Sequence, residues 1–523
     1  WTSGDGAGRI VVARLNAITA VPPTAGTAYT ANSASFTDGT NSTTGTNNIV
    51  VYNGTGNSVT VTGLTAATAY NFDVYEYNGT TGTYNYSAAA SAGSTSTLAT
   101  EPTAQATVLT FTSVTTTGMN ISWTKPSSGG GTYSLVVIRS GSEVNGDPAD
   151  GTFYAASTAF GSGSTTSAGN YVVYNSSGSS ISVSGLTSNT TYYVAVYQYN
   201  GTLTTCNYLT SSSLTGSITT PPTPATTMVT GLRTGTSINV SWINGNGTSR
   251  IVVARLSATA AVAPTNGNTY TANSTDITDT NNPTTGTGNY VIYNGTGSTT
   301  GAVGLAPSTD YKFDVYEYSG TVYSAALTSG AISTLAAEPT TQATGVSFSA
   351  ISANGFTINY TKGDGAYRVI LVKAGSEVDG VPVDANSYTT AAFGSGTQIG
   401  TGNWVVYSGS ATTNATITGL SANTTYHVAV FEFNGSGGNI NYLTTSPARN
   451  SQLTLVTAPA APTNLTFGSV TYNSFTASFI APGTAPDGYL VVRRKTTAIT
   501  GTPVGGTVYS VGQYIGSTAL NEI

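Results

Sequence analysis

The sequence predicts an all-β protein built as a tandem array of β-sandwich domains. Three observations carry this. Apolar, β-branched and aromatic residues alternate with period two along the chain, which is the pattern of half-buried strands. Long 3.6-period stripes are absent, and Leu, Lys and Glu are few. One segment returns four times: GLTAATAYNFDVYEYNG at Gly63, GLTSNTTYYVAVYQYNG at Gly185, GLAPSTDYKFDVYEYSG at Gly304 and GLSANTTYHVAVFEFNG at Gly419, at spacings of 122, 119 and 115 residues. Such a period is too long for a solenoid turn and fits a domain with its own core.

Composition narrows the class. The chain has 523 residues, which suggests about three to five domains. Charged residues are only 7%, against roughly a quarter in ordinary chains. Hydrophobic residues are 39%, enough for cores, so solubility falls to Thr, Ser, Asn and Gly. Disorder is excluded by the alternation, which a flexible linker does not keep. A net charge of −6 leaves no basic patch for nucleic acid. The single cysteine, Cys206, excludes a disulfide framework and cysteine zinc sites. No apolar run approaches the roughly 20 residues of a membrane helix. The chain opens at WTSGDGAGRIVVAR, matching the middle of the later SWINGNGTSRIVVAR, and closes at GSTALNEI. We therefore expect a window on a longer protein.

The second repeat shows the elements in order. A proline-bearing linker, EPTAQAT, leads to a first alternating strand. MNISWT follows, with Ile121 and Trp123 on one face, and then YSLVVIRS. GSEVNGDPADGTF reads as a polar loop. NYVVYNSSGSSISVSGL gives two short strands around a Ser/Gly turn, TTYYVAVYQYNG the next strand, and SITT closes the unit. About seven short strands with regular turns indicate a sandwich.

In the recurring strand, Tyr192, Val194 and Val196 point one way and Tyr193, Ala195, Tyr197 and Tyr199 the other. The first set is apolar in every unit (Tyr70, Phe72, Val74; Tyr311, Phe313, Val315; Tyr426, Val428, Val430) and marks the core. A Gly-Leu stands six residues before each corner tyrosine, at Leu64, Leu186, Leu305 and Leu420. This spacing predicts a tyrosine corner, with the hydroxyl bonding the backbone of the preceding loop.

The SWT tryptophan, the Gly-Leu-x5-Tyr corner and the YxVxVYxYN strand resemble fibronectin type III domains. The resemblance covers nearly the whole chain. It implies a fibronectin type III/immunoglobulin-like sandwich in each unit. The tandem style is similar to repeats of very large secreted surface proteins of Bacteroidota, and so implies type IX export, gliding and adhesion. The units depart from the family in length, the excess falling in the middle loops, and Tyr360 and Phe479 replace the tryptophan.

The expected domains are 1–99, 100–220, 221–336, 337–456 and 457–523, the first and last incomplete. The units also alternate. RIVVARL at Arg9 returns at Arg250, while GSEV at Gly141 returns at Gly375 and AFGSG at Ala159 at Ala392. Either two domains form the structural period, or a pair was duplicated without mechanical meaning.

Candidate chemistry is sparse. His427 is the sole histidine, at a position held elsewhere by Asn71, Tyr193 and Lys312, which reads as a solvated face. Glu76, Glu317 and Glu432 recur at one position with Gln198 in unit two. They read as strand-end acids making local hydrogen bonds, not as glycosidase carboxylates. Asp147, Asp150, Asp379 and Asp384 lie in turn sequences and fall short of the six to eight oxygens of calcium. Lys125 and Lys362 share a position but lack counterparts in Ser3 and Asn244, against a general Lys–Asn crosslink. No catalytic residue, metal or cofactor is expected.

The sharpest feature is the ring pairs Tyr75 and Tyr77, Tyr197 and Tyr199, Tyr316 and Tyr318, Phe431 and Phe433. Alternation puts them on the outer face, where they pair across strands or stack on sugars or a neighbouring chain. Trp404, in the place of Tyr171 and Tyr290, is a weaker contact candidate. The proline-bearing linkers, STLATEPTAQAT, SITTPPTPATT, STLAAEPTTQAT and LTLVTAPAAPT, suggest semi-rigid joints. The expectation is a non-catalytic structural or adhesive extracellular rod, a stalk or filament segment of a cell-surface protein. Its partners would be copies of itself in a fibre, surface glycans or other surface proteins. The alternative is a spacer or glycan-binding array of a secreted enzyme whose catalytic domain lies elsewhere.

Overall fold

The structure, a computed structural model, describes residues 1–410 and 413–515. The GSTALNEI segment lies outside them. Among the described residues no helix is long and apolar enough to cross a membrane.

Unit two is two sheets face to face. One has three strands in the order Ser180–Ser184, Gly118–Thr124, Thr107–Thr112. The other runs Thr165–Ser167, Asn170–Ser176, Tyr133–Ser140, Thr191–Asn200, Asn207–Tyr208, and Leu214–Thr219 also pairs with Thr191–Asn200. These strands pair antiparallel, and an isolated parallel bridge joins Ala159 to Ser184. Units three and four repeat the plan, with three-stranded sheets around Ile238–Ile243 and Gly355–Thr361. In unit one the described strands form the long sheet alone, and in unit five Thr463–Gly468 pairs with Thr476–Ile480.

The core sits between the sheets where period two placed it. In unit two Met119, Ile121 and Trp123 meet Val136, Ile138, Tyr192, Val194 and Val196. Equivalent clusters hold Phe313 and Val315 in unit three and Val428 and Val430 in unit four. The tyrosine corner forms in all four units. Each hydroxyl accepts a backbone N–H from five residues upstream: Thr65 to Tyr70 at 2.9 Å, Thr187 to Tyr192 at 2.8 Å, Ala306 to Tyr311 at 2.9 Å and Ser421 to Tyr426 at 2.8 Å. The glycine of each Gly-Leu takes φ between 69° and 81°, the left-handed region where only glycine is unstrained. That turn drives Leu186, Leu305 and Leu420 into the core.

The alternation of units is physical. Ala13 faces Phe72 and Ala254 faces Phe313 across the strands, whereas Ile138 faces Val194 and Val372 faces Val428. Small against large in the odd units becomes medium against medium in the even ones, so core volume is kept. On the other face the odd units bury Arg14–Asp73 and Arg255–Asp314 pairs. The even units have Ala195 and Ala429 in place of the aspartates.

Candidate functional site

The ring pairs stand on the sheet face opposite the first core, and that face is covered. The segment between the Tyr133–Ser140 and Asn170–Ser176 strands folds back over it, as do its equivalents in the other units. Beneath lies a second core: Leu135, Val137, Tyr154, Val172, Ala195, Tyr197, Tyr199, Cys206 and Tyr208 in unit two, with counterparts in the other three. Tyr197 and Tyr199 are 2% exposed and Phe431 0%. Tyr75, Tyr316 and Phe433 are buried, Tyr77 and Tyr318 half-buried.

The reading of these eight rings as a stacking surface is thereby corrected. Tyr77, Tyr199, Tyr318 and Phe433 each pack on a neighbouring tyrosine, Tyr86, Tyr208, Tyr323 and Tyr442, with centroids 4.6–5.6 Å apart. The excess length of the middle loops, noted above as a departure, is the material that closes over them.

A motif the sequence reading passed over holds the cover down. Pro-x5-Tyr occurs five times, at Pro23–Tyr29, Pro148–Tyr154, Pro264–Tyr270, Pro382–Tyr388 and Pro503–Tyr509. Each tyrosine hydroxyl accepts the N–H five residues upstream, at 2.8–3.1 Å, a second corner in units one to four and a corner of the same kind in unit five. Buried Asn48, Asn289 and Asn403 pin the other end of the cover through backbone bonds. Asn53, Asn175 and Asn294 each donate to the carbonyl of the cover tyrosine and accept the hydroxyl of Tyr77, Tyr199 or Tyr318. In unit four Phe433 lacks the hydroxyl and Ser408 stands where the asparagine would be. Donor and acceptor disappear together, which avoids an orphaned polar group.

The recurring acids are structural nodes. Glu317 is bound by the Arg250 guanidinium at 2.9 Å and Glu432 by Arg368 at 2.9 Å, all four buried. Glu76 binds Arg9 at 3.0 Å, and that hydrogen bond holds its carboxyl below the usual range. In unit two Gln198 replaces the glutamate and Ser134 replaces the arginine. Gln198 Nε2 and Trp123 Nε1 both donate to Ser134 Oγ, at 2.8 and 3.1 Å. A buried ion pair has been exchanged as a unit for a neutral one.

The remaining candidates scatter. His427 is half-buried, in register with Lys373 and Ser451. Asp147 accepts the Tyr197 hydroxyl, and Asp150 and Asp384 accept the backbone N–H of Tyr208 and Tyr442. Lys125 and Lys362 donate to backbone carbonyls. Lys373, Asp379 and Asn403 do meet, with Asp379 accepting from both at 2.6 and 2.8 Å. Those bonds hold the exposed Asp379 at about 2, so it is ionised and has no proton to relay to an amide. Trp404 is half-buried, edge-on to Phe393.

Three strands stacked on a longer sheet, with a tyrosine corner joining them, settle the architecture. Units two to four are fibronectin type III-like β-sandwiches. No family model and no curated protein matches the chain. Among solved structures it is similar to a two-domain fibronectin type III segment of chicken tenascin (15% identity, 44% of this chain and 100% of that one, TM-score 0.25). It is also similar to the FN1–FN3 domains of chicken CNTN1 (13% identity, 68% and 99%, TM-score 0.27).

Two predictions arise from the second core of these fibronectin type III-like units. Burial pushes the phenols of Tyr86, Tyr316 and Tyr323 up to about 12, and those of Tyr199, Tyr208 and Tyr442 upward as well. The folded state holds these protons more tightly than the unfolded chain, whose tyrosines ionise near pH ~10. The stability is intact below that pH and is lost as pH rises through about 12. Tyrosinate absorbance is expected to rise together with loss of the β circular dichroism. A smooth titration near pH ~10 with the dichroism unchanged would contradict the buried layer. Second, Cys206 is fully buried in the place of Tyr84 and Ile440, and burial raises its thiol. It should resist an aromatic disulfide reagent until the chain is unfolded; stoichiometric reaction of the native chain would refute this.

Proposed function

We propose that this chain is a non-catalytic structural and adhesive repeat region, a stalk or filament segment of a larger cell-surface protein displayed outside the cell. The class of protein is the large secreted surface protein of Bacteroidota exported by the type IX pathway. One observation carries the reading: the side chains that recur through units one to four are spent mainly inside the unit. In units one to four the ring pairs and both tyrosine corners serve to close two cores, joined by an acid–arginine node in units one, three and four and by Gln198–Ser134 in unit two. The repeated element is thus a double-cored building block, and a load-transmitting or spacing role suits it. Few Lys and Arg leave few sites for trypsin-like proteases, which suits exposure. Partners on this reading are further copies in a fibre or components of an opposing surface. Deleting the repeats from the native protein should reduce surface attachment or remove surface fibres. Unchanged attachment together with unchanged fibres would sink the proposal.

A further inference from the structure

The joints between units are of two kinds, and the difference lies in one peptide group. Between units one and two the Leu98–Ala99 peptide is held from both sides. Its carbonyl accepts the N–H of Ala67 in unit one at 2.9 Å, and its N–H donates to the Thr205 carbonyl of unit two at 2.8 Å. Between units three and four Leu335–Ala336 does the same, with Ser308 at 2.9 Å and Asn439 at 2.8 Å. A peptide plane is stiff, so a hydrogen bond at each end fixes the orientation of one unit against the next. Two asparagines complete each clamp. Asn207 and Asn200 donate to the Ala99 and Thr100 carbonyls at 2.8 Å. Asn441 and Asn434 donate to Ala336 and Ala337 at 2.8 Å. Ala99 and Ala336 are buried, which strengthens the bonds against water. Arg233 of unit three also reaches the Gly438 carbonyl of unit four at 3.2 Å.

Between units two and three the same position is Pro221–Pro222. The carbonyl still accepts, from Asn189 at 3.1 Å, but a proline has no N–H to give. The receiving side has changed in step. The turn that offers the carbonyl, residues 201–206 in unit two, is cut to 320–321 in unit three. Ser319 and Val322 stand where Asn200 and Asn207 would be. Four components of the clamp are therefore missing at one joint: the linker N–H, the turn carbonyl and both asparagines. Direct bonds across it run through Asn246, to Ser188 Oγ at 2.8 Å and from Asn189 Nδ2 at 3.0 Å, both exposed. Exposed hydrogen bonds exchange with water at little net cost. Pro222 is buried, but apolar contact is non-directional and does not fix rotation.

We infer that the rigid element of this array is the pair of domains: units one and two move as one block, three and four as another, and the chain articulates at Pro221–Pro222. The two prolines keep that link extended, so the motion is rotation about it. This gives the two-unit alternation of the sequence a mechanical meaning.

The test is pulsed electron–electron distance measurement on the full chain, in a Cys206→Ala background, with spin labels on exposed threonines of neighbouring units. Across joints one–two and three–four the distance distributions should be narrow, and across two–three about twofold wider. Ala336→Pro with Asn441→Val should widen the three–four distribution to match. Single Asn246→Ala should leave all three distributions nearly unchanged, because its exposed bonds do not fix the two–three joint. Equal widths at all three joints, or a three–four distribution unmoved by the double variant, would overturn the inference.

Discussion

Replacing Glu317 by alanine is expected to destabilise unit three by about 3–5 kcal/mol, because Arg250 is left charged and buried without its partner. Arg250→Ser alone should cost a similar amount, leaving the carboxylate uncompensated. The double variant Arg250→Ser with Glu317→Gln should be far milder than either single change. It reproduces the Ser134–Gln198 arrangement of unit two. It also supplies a hydroxyl beside Trp242, whose Nε1 has no hydrogen-bond partner in unit three while that of Trp123 does. Desolvation explains the sign: two charges leaving together remove both the attraction and the larger cost of burying them. The measurement is hydrogen exchange on unit-three peptides of the full chain, read as a double-mutant cycle. Additive single and double effects would show that the pair is not coupled.

Tyr199→Ala is expected to cost unit two about 3–5 kcal/mol, the range for deleting a large buried ring. Its ring is packed between Tyr133 and Tyr208 at 5.3 and 4.6 Å. Tyr199→Phe should cost only about 1 kcal/mol, for the hydrogen bond that the hydroxyl donates to Asn175 Oδ1. The contrast separates the two readings of the rings. A stacking surface would lose a ligand and keep its stability; a second core loses stability whether or not a ligand is present. Thermal unfolding and exchange protection of unit two give the answer, and a stable Tyr199→Ala variant would reinstate the exposed surface.

Much of this was legible in the residues. Period two separated Tyr192, Val194 and Val196 from Tyr197 and Tyr199, and the structure keeps the two sets on opposite faces. The Gly-Leu-x5-Tyr spacing predicted a corner that forms four times. The alternation of repeats was visible as well. What was misjudged was the environment of the second face. A signal existed: IVVA, LVVI and VILV are unbroken apolar runs, and a strand wet on one face should alternate. The fivefold Pro-x5-Tyr was a further signal, hidden in a stretch that composition alone marks as a polar loop.

The sequence by itself determined the all-β class, the repeat length, the first core and its corner, because these depend on local periodicity and short spacings within one strand and its adjoining turn. Tertiary structure decided the rest. Burial of the ring pairs depends on where a segment of some thirty residues, 141–169 in unit two, comes to lie, and alternation records only which side a residue takes, not what covers it. The Arg–Glu and Ser–Gln exchange links residues 64–67 apart, and the joint clamps link a linker to a turn about a hundred residues on. Contacts at that separation are set by how sheets stack and pair, which no local pattern encodes.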